Sequence, residues 1–305
     1  MPVIVQDALP AIELLRKENI FVMGSTRAHF QDIRPLRIAL LNLMPMKILT
    51  ETDLVRVLSN SPIQVELDLI RITDRVSKNT SIEHLERFYL DFESVRNRNY
   101  DGLIVTGAPV EQFAFEEVTY WPEMVRILDW ARTHVTSSIF ICWSAQAALY
   151  HYYGIPKYLL AKKKFGIFEH DVKDPFNPLF RGSDDSFFAP HSRYTEVRRE
   201  DIDLVKELTL LSESKEAGVY ALQARNGREV FVTGHSEYAP DALDKEFKRD
   251  VAKGLPIDLP YNYYRINAPG QYPLVSWSAH ANLLFTNWLN YYVYQETPFD
   301  IEKIA

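Results

Sequence analysis

Cys142 is the only cysteine among 305 residues, and its neighbours give it a setting for chemistry. It follows the apolar run Ser138-Ile139-Phe140-Ile141 and precedes Trp143-Ser144-Ala145-Gln146-Ala147-Ala148-Leu149, whose residues from Ala145 onward are strong helix formers. A buried strand that stops at this cysteine and a helix that starts there place the thiol at the carboxyl edge of a parallel sheet. Open α/β folds bind ligands at that edge. The free N–H groups and positive end of the helix favour a thiolate there. A thiolate nucleophile needs a base within reach, and the base needs an acceptor that orients it. Val230-Phe231-Val232-Thr233-Gly234-His235-Ser236-Glu237-Tyr238 supplies both. The strand ends at Gly234, His235 is thrown onto the sheet edge, and Glu237 stands two residues on. Taken alone, each stretch has a plainer reading. A lone cysteine serves as a small buried hydrophobe, and His-x-Glu forms a solvated turn. Together they favour nucleophilic catalysis by a Cys–His–Glu set.

The elements that must carry these groups are legible in order. Residues 36–41, 65–72, 100–105 and 138–141 read as strands, and helices are expected over 50–58 and 122–134, with Thr50 or Thr52 as the first helix's cap. Alternation of this kind predicts an α/β fold, a mostly parallel sheet flanked by helices with right-handed crossovers. The second half has shorter strands over 165–170, 186–193, 209–211, 219–222 and 229–235, several of them antiparallel, then helices over 242–253 and 280–294. Residues 1–35, with an extended piece at Ile20-Phe21-Val22-Met23, are expected to form an N-terminal extension. Residues 36–305 are expected to form one catalytic domain that includes a C-terminal cap.

Composition excludes several classes. A hydrophobic share of 47% with 25% charged residues is ordinary globular composition, and a net charge of −7 without a basic stripe argues against nucleic acid. No apolar stretch reaches membrane-spanning length, and the start of the chain lacks a signal-peptide pattern. One cysteine forms no internal disulfide, so a reducing cytoplasm is the expected location. The eight histidines show no zinc-site spacing, and no metal is expected.

Beyond the two central stretches lie Leu41-Asn42-Leu43-Met44-Pro45, Leu58-Ser59-Asn60-Ser61-Pro62, Thr106-Gly107-Ala108-Pro109, Asp184-Asp185-Ser186-Phe187, Ala189-Pro190-His191-Ser192-Arg193-Tyr194 and Asn282-Leu283-Leu284-Phe285-Thr286-Asn287-Trp288-Leu289-Asn290-Tyr291-Tyr292. With Cys142-Trp143-Ser144-Ala145-Gln146-Ala147-Ala148 and Thr233-Gly234-His235-Ser236-Glu237-Tyr238, these resemble the cysteine-dependent homoserine O-acyltransferases over nearly the whole chain. That group has the class I glutamine amidotransferase-like fold. The glycines that usually flank an amidotransferase nucleophile are absent, which argues against glutaminase activity.

The resemblance implies that Cys142 forms the acyl-thioester, that His235 is general base and acid, and that Glu237 orients it. It also implies that Lys163, Ser192 and Arg249 contact substrate. By spacing alone Arg249 is a surface partner of Glu246 or Asp250, Lys163 belongs to a solvated charge run, and Ser192 is a turn serine. Homoserine is a zwitterion whose carboxylate calls for a charge-assisted donor such as Arg249. Oxyanion donors are expected from the Trp143 N–H and the loop beginning at Gly107. The Trp143 ring is expected to help keep the site dry, and Lys47 is a further candidate near it. Glu111 is linked within the family to the choice of acyl donor. A carboxylate facing the acyl pocket repels succinyl and tolerates acetyl. Acetyl-CoA is therefore the expected co-substrate, L-homoserine the acceptor, and no permanently bound cofactor is expected. The family resemblance also implies a homodimer. Succinyl transfer, a glutamine amidotransferase-like hydrolase and a non-catalytic binding protein remain the alternatives.

Overall fold

Strands buried on both faces read as unbroken apolar runs, and the centre of this molecule is built from such runs. The computed structural model describes residues 3–17, 22–28, 34–73, 79–266, 268, 270–298, 301 and 304. Its strands are β1 (Val3–Val5), β2 (Met23–Gly24), β3 (Leu36–Leu41), β4 (Val65–Arg71), β5 (Tyr89–Asp91), β6 (Tyr100–Val105), β7 (Val135–Ile141), β8 (Tyr158–Val172), β9 (Ser186–Glu196), β10 (Thr209–Ser214), β11 (Gly218–Ala224) and β12 (Glu229–Val232). They form one sheet in the order β2-β1-β4-β3-β6-β7-β12-β11-β10-β8-β9, with β5 pairing β4.

From β2 to β12 every pairing is parallel, and from β12 to β9 every pairing is antiparallel. Side chains alternate between two cores. Ile38, Leu40, Ile104, Ile139, Ile141, Val230 and Val232 face one, and Ala39, Leu41, Leu103, Val105, Phe140 and Phe231 face the other. The long helices Lys47–Leu58, Trp121–His134 and Trp143–Tyr153 follow β3, β6 and β7. This is the α/β fold that the alternation predicts, and the N-terminal residues add β1 and β2 at one edge of the same sheet.

Some local expectations needed correction. The first long helix begins at Lys47, with Met46 at its cap, and not at Thr50 or Thr52. Both threonine hydroxyls instead donate back to carbonyls one turn earlier, Thr50 to Met46 O at 3.3 Å and Thr52 to Ile48 O at 2.7 Å. A threonine can make that bond inside a helix as readily as cap one. The strand expected over 165–170 is the middle of the 15-residue β8. The last helix begins at Ser278 and passes into a π-helical stretch at Trp288. Ile20 and Phe21 of the expected early strand lie outside the described residues; Met23 is in β2. Among the described residues no helix is long and apolar enough to cross a membrane.

Candidate active site

Cys142 forms the elbow between β7 and the helix Trp143–Tyr153, with φ 55° and ψ −113°. A positive φ on a residue with a Cβ costs about 1–3 kcal/mol and persists only where its surroundings impose it. Here they do. The Cys142 N–H donates to Val232 O at 2.7 Å, and the Gln146 N–H donates to Cys142 O at 3.3 Å. The Ser144 hydroxyl accepts from the Ile141 N–H at 2.9 Å and donates to Val105 O at 2.7 Å, tying the elbow to β6. Cys142 itself is buried.

Because β12 runs parallel to β7, with Val232 opposite Ile141, the turn after β12 emerges at the same rim as the elbow. His235 Nδ1 lies 2.8 Å from Glu237 Oε1. A carboxylate partner makes Nδ1 the donor, which leaves Nε2 for the neighbouring Cys142, whose charge acts on the ring. Burial opposes the charged imidazolium, but the neighbouring Cys142 and Glu237 charges outweigh it and hold its pKa well above the ordinary histidine value. The opposite ring face stacks on Tyr238, with centroids 4.2 Å apart. Gly107 closes the space above: a Cβ there would stand 3.3 Å from Cys142 Cβ and 3.4 Å from His235 Cε1.

Glu111 enters from the same loop as Gly107, and its Oε1 accepts the Tyr194 N–H at 3.0 Å. Burial raises its pKa, while the Tyr194 N–H and the nearby charges of Lys163, His235 and Arg193 pull the other way. The three expected substrate contacts converge on one carboxylate. Lys163 Nζ is 2.7 Å from Glu246 Oε1, the Ser192 hydroxyl donates to Glu246 Oε2 at 2.9 Å, and Arg249 reaches Glu246 Oε1 at 3.2 Å. Asp250 is the second anion, 2.7 Å from Arg249 Nε and 3.7 Å from Lys163 Nζ. Lys163 is therefore no solvated charge, its side chain being 10% exposed, whereas that of Arg249 is 52% exposed.

One neighbour was expected to serve differently. The Trp143 indole is fully buried in the core beside Phe115 and Tyr120, so the aromatic face against the imidazole belongs to Tyr238. The Lys47 ammonium donates to Asn42 O at 2.6 Å and lies over the Tyr89 ring, within a buried cluster that includes Glu51.

Residues 2–299 match the family described as homoserine O-succinyltransferase. The chain belongs to that family. Proteins named homoserine O-acetyltransferase are similar to it from end to end. One from Bacteroides thetaiotaomicron is 66% identical, covering 100% of both chains. One from Parabacteroides distasonis is 65% identical over 100% of this chain and 99% of its own. One from Acetivibrio thermocellus is 59% identical over 100% of both. Among solved structures, a glutamine amidotransferase from Thermotoga maritima aligns with a TM-score of 0.56 at 12% identity, covering 86% of this chain and 100% of its own. Another from Methylobacillus flagellatus gives 0.53 at 12%, covering 85% and 95%. These two show the shared fold.

Within this family member, sequence reasoning missed Glu246 as more than a partner for Arg249, and it missed Asp53. Glu246 lies on the charged helix Ala242–Ala252, where its spacing to Arg249 reads as a surface pair. Only the approach of β8 and β9 brings Lys163 and Ser192 to it. Asp53 sits on the helix Lys47–Leu58 close enough to Glu237 to feel its charge.

Proposed function

We propose that this protein is a homoserine O-acetyltransferase of methionine biosynthesis, moving the acetyl group of acetyl-CoA to the γ-hydroxyl of L-homoserine through an acyl-cysteine. The observation that carries the reading is the buried Cys142 and His235, side by side against Gly107, with Glu237 on His235 Nδ1. Full-length similarity to proteins of that name supports the substrate class.

In the first half-reaction the Cys142 sulfur attacks the thioester carbonyl, and a tetrahedral oxyanion forms. The first amide of the helix, on Trp143, has no acceptor within its own helix and stands beside the nucleophile; it and the backbone at Gly107 are the proposed donors. As the C–S bond to coenzyme A breaks, His235 Nε2 gives its proton to the departing sulfur. Glu237 keeps the imidazole in the required tautomer and favours its charged form. In the second half-reaction His235 takes the proton of the homoserine hydroxyl. The alkoxide oxygen attacks the acetyl carbon, and the Cys142 sulfur leaves as thiolate.

The charge pattern suits a zwitterion. Arg249 and Lys163 match its carboxylate, Glu246 and Asp250 match its ammonium, and Ser192 holds Glu246 in place. Acetyl is the favoured donor because a succinyl carboxylate would enter a partly buried site beside Glu111.

The deciding experiment is intact-mass analysis after mixing the enzyme with acetyl-CoA or succinyl-CoA without homoserine. An acetyl adduct that disappears in Cys142→Ala is expected. A succinyl adduct would overturn the donor, and no adduct with either would overturn the covalent route.

A further inference from the structure

Lys157 stands between the helix Trp143–Tyr153 and β8, and the chain before it leaves it little freedom. The helix closes at Gly154, whose φ of 69° is a left-handed conformation that suits glycine. The Gly154 N–H donates to Tyr150 O at 2.9 Å and the Ile155 N–H to Leu149 O at 3.3 Å. Ile155 is buried, and the ring of Pro156 locks its own φ. Lys157 thus leaves from a rigid base.

Its ammonium crosses to the loop after β6. It donates to Glu111 O at 2.7 Å and to Phe113 O, and it lies 4.3 Å from the centroid of the Phe115 ring. Burial lowers its pKa to about 8, while the charges of Glu111, Glu116 and Glu117 act the other way. At neutral pH the group is still mostly protonated, and a charged donor binds a carbonyl more strongly than a neutral one.

The loop has few other ties. Its Phe113 N–H donates to Val110 O at 3.1 Å and its Ala114 N–H to Glu117 Oε2 at 2.9 Å, both local bonds. Among the described residues, only Lys157 hydrogen-bonds the backbone of residues 109–114 to any part of the protein beyond Glu117. The chain is held again from Phe115 onward. That ring is buried and stacks on Tyr150, centroids 4.8 Å apart, and the Tyr150 hydroxyl donates to Glu116 Oε1 at 2.6 Å. Glu111 is therefore pinned at two points: its side chain accepts the Tyr194 N–H at 3.0 Å, and its carbonyl is held by Lys157. Without the ammonium, the side-chain bond would be left to hold an unbraced stretch of chain.

We propose that Lys157 is a positioning residue for the choice of acyl donor: it braces the loop after β6 so that the Glu111 carboxylate keeps its place on β9 and repels a succinyl group. This rests on the reading of Glu111 as the discriminator.

The test measures kcat/KM with acetyl-CoA and with succinyl-CoA at pH 7 and fixed homoserine, in the full-length protein. Lys157→Met keeps the length of the side chain and removes the donor. The ratio in favour of acetyl-CoA is expected to fall about tenfold, since ångström-scale displacement of a selecting group costs at least that much. Hydrogen exchange of the amides in residues 109–114 is expected to speed up, and the melting temperature to change little, because Lys157 is only half-buried. Lys157→Arg, which keeps the charge, is expected to retain most of the wild-type ratio.

A Lys157→Met enzyme with the wild-type ratio overturns the proposal, because a merely structural role would weaken turnover of both donors alike. An equal fall in Lys157→Arg overturns it too, since the charge would then not be what holds the loop. Glu111→Gly, measured alongside, separates this failure from that of the reading beneath it. An unchanged ratio in Glu111→Gly sinks both, whereas a shifted ratio there with an unmoved Lys157→Met sinks the brace alone. In the double variant the Lys157 change is expected to add nothing to the Glu111→Gly ratio. A further tenfold shift would show it acting by another route, and the proposal would fall.

Discussion

The Glu237 carboxylate and the His235 imidazole meet at 2.8 Å, Oε1 to Nδ1, both buried at the end of β12. That contact sets the tautomer that turns Nε2 toward Cys142, and it contributes to the raised histidine pKa after burial and Cys142 have acted. Glu237→Gln keeps the shape and removes the charge. The expected result is a fall in kcat/KM for acetyl-CoA of about 10²–10⁴-fold, the range seen when a triad carboxylate becomes an amide. The sign of the pH effect follows from the loss of an anion: the imidazolium gives up its proton more easily. The alkaline limb of the pH–rate profile should therefore move to lower pH. A profile superimposable on the wild type would show that Glu237 does not act on His235 electrostatically.

Gly107 touches both members of the reacting pair. Its φ is not positive, so alanine is allowed by the backbone, and the only penalty is space. The added methyl, 3.3 Å from Cys142 Cβ and 3.4 Å from His235 Cε1, presses on the pair by a few tenths of an ångström and occupies the approach to the sulfur. Gly107→Ala is expected to lower kcat/KM about 10–100-fold, since small displacements of reacting groups cost that much. The melting temperature is expected to change little. A calorimetric scan beside steady-state rates separates the two, and a variant of unchanged rate would remove Gly107 from the site.

Asp53 carries a testable dependence of stability on pH. Burial, with the Glu237 charge adding to it, pushes its carboxyl up to about 7 although Arg56 donates to it at 2.8 Å. In the unfolded chain the value is near 3.9. The native state then holds the proton more tightly, so this group's contribution to stability is present below the unfolded value and is lost as pH rises toward 7. Asp53→Asn resembles the protonated form at every pH. It is expected to match the wild type near pH 4 and to be more stable at pH 8 by up to about 4 kcal/mol, the full linkage of a rise from near 3.9 to about 7, or several degrees in melting temperature. An identical difference at both pH values would contradict the account.

The parallel half of the sheet was legible because β6 and β7, buried along their whole length, end in the apolar runs Leu103-Ile104-Val105 and Ile139-Phe140-Ile141. The elbow was legible because an apolar run changes to helix formers at a single cysteine. The Glu246 cluster was not. Its members come from β8, β9 and the helix Ala242–Ala252, and their meeting depends on a strand register that no local pattern specifies. The residues Tyr158–Lys164 hid the start of β8 because that part is largely exposed and lysine-rich, as a loop would be. Trp143 misled for a related reason. A ring next to a nucleophile can face the pocket or the core, and here the helix turns it inward, toward Phe115 and Tyr120.

The proposed choice of donor turns on Glu111. Its carboxylate is fixed by the Tyr194 N–H at 3.0 Å, and its backbone oxygen accepts from the Lys157 ammonium at 2.7 Å, so the side chain is held against β9 and does not swing freely. A succinyl group would bring a second carboxylate into that partly buried space. Like charges there cost several kcal/mol at close range, or roughly 10²-fold or more in discrimination. Glu111→Gly removes the charge, opens room and leaves Tyr194 to water or to the incoming carboxylate. The variant is expected to gain succinyl-CoA turnover and to lose acetyl-CoA preference, with the kcat/KM ratio shifting by about 10²-fold. The measurement is initial rate with each donor at fixed homoserine. An unchanged ratio would mean that the donor is chosen elsewhere in the pocket.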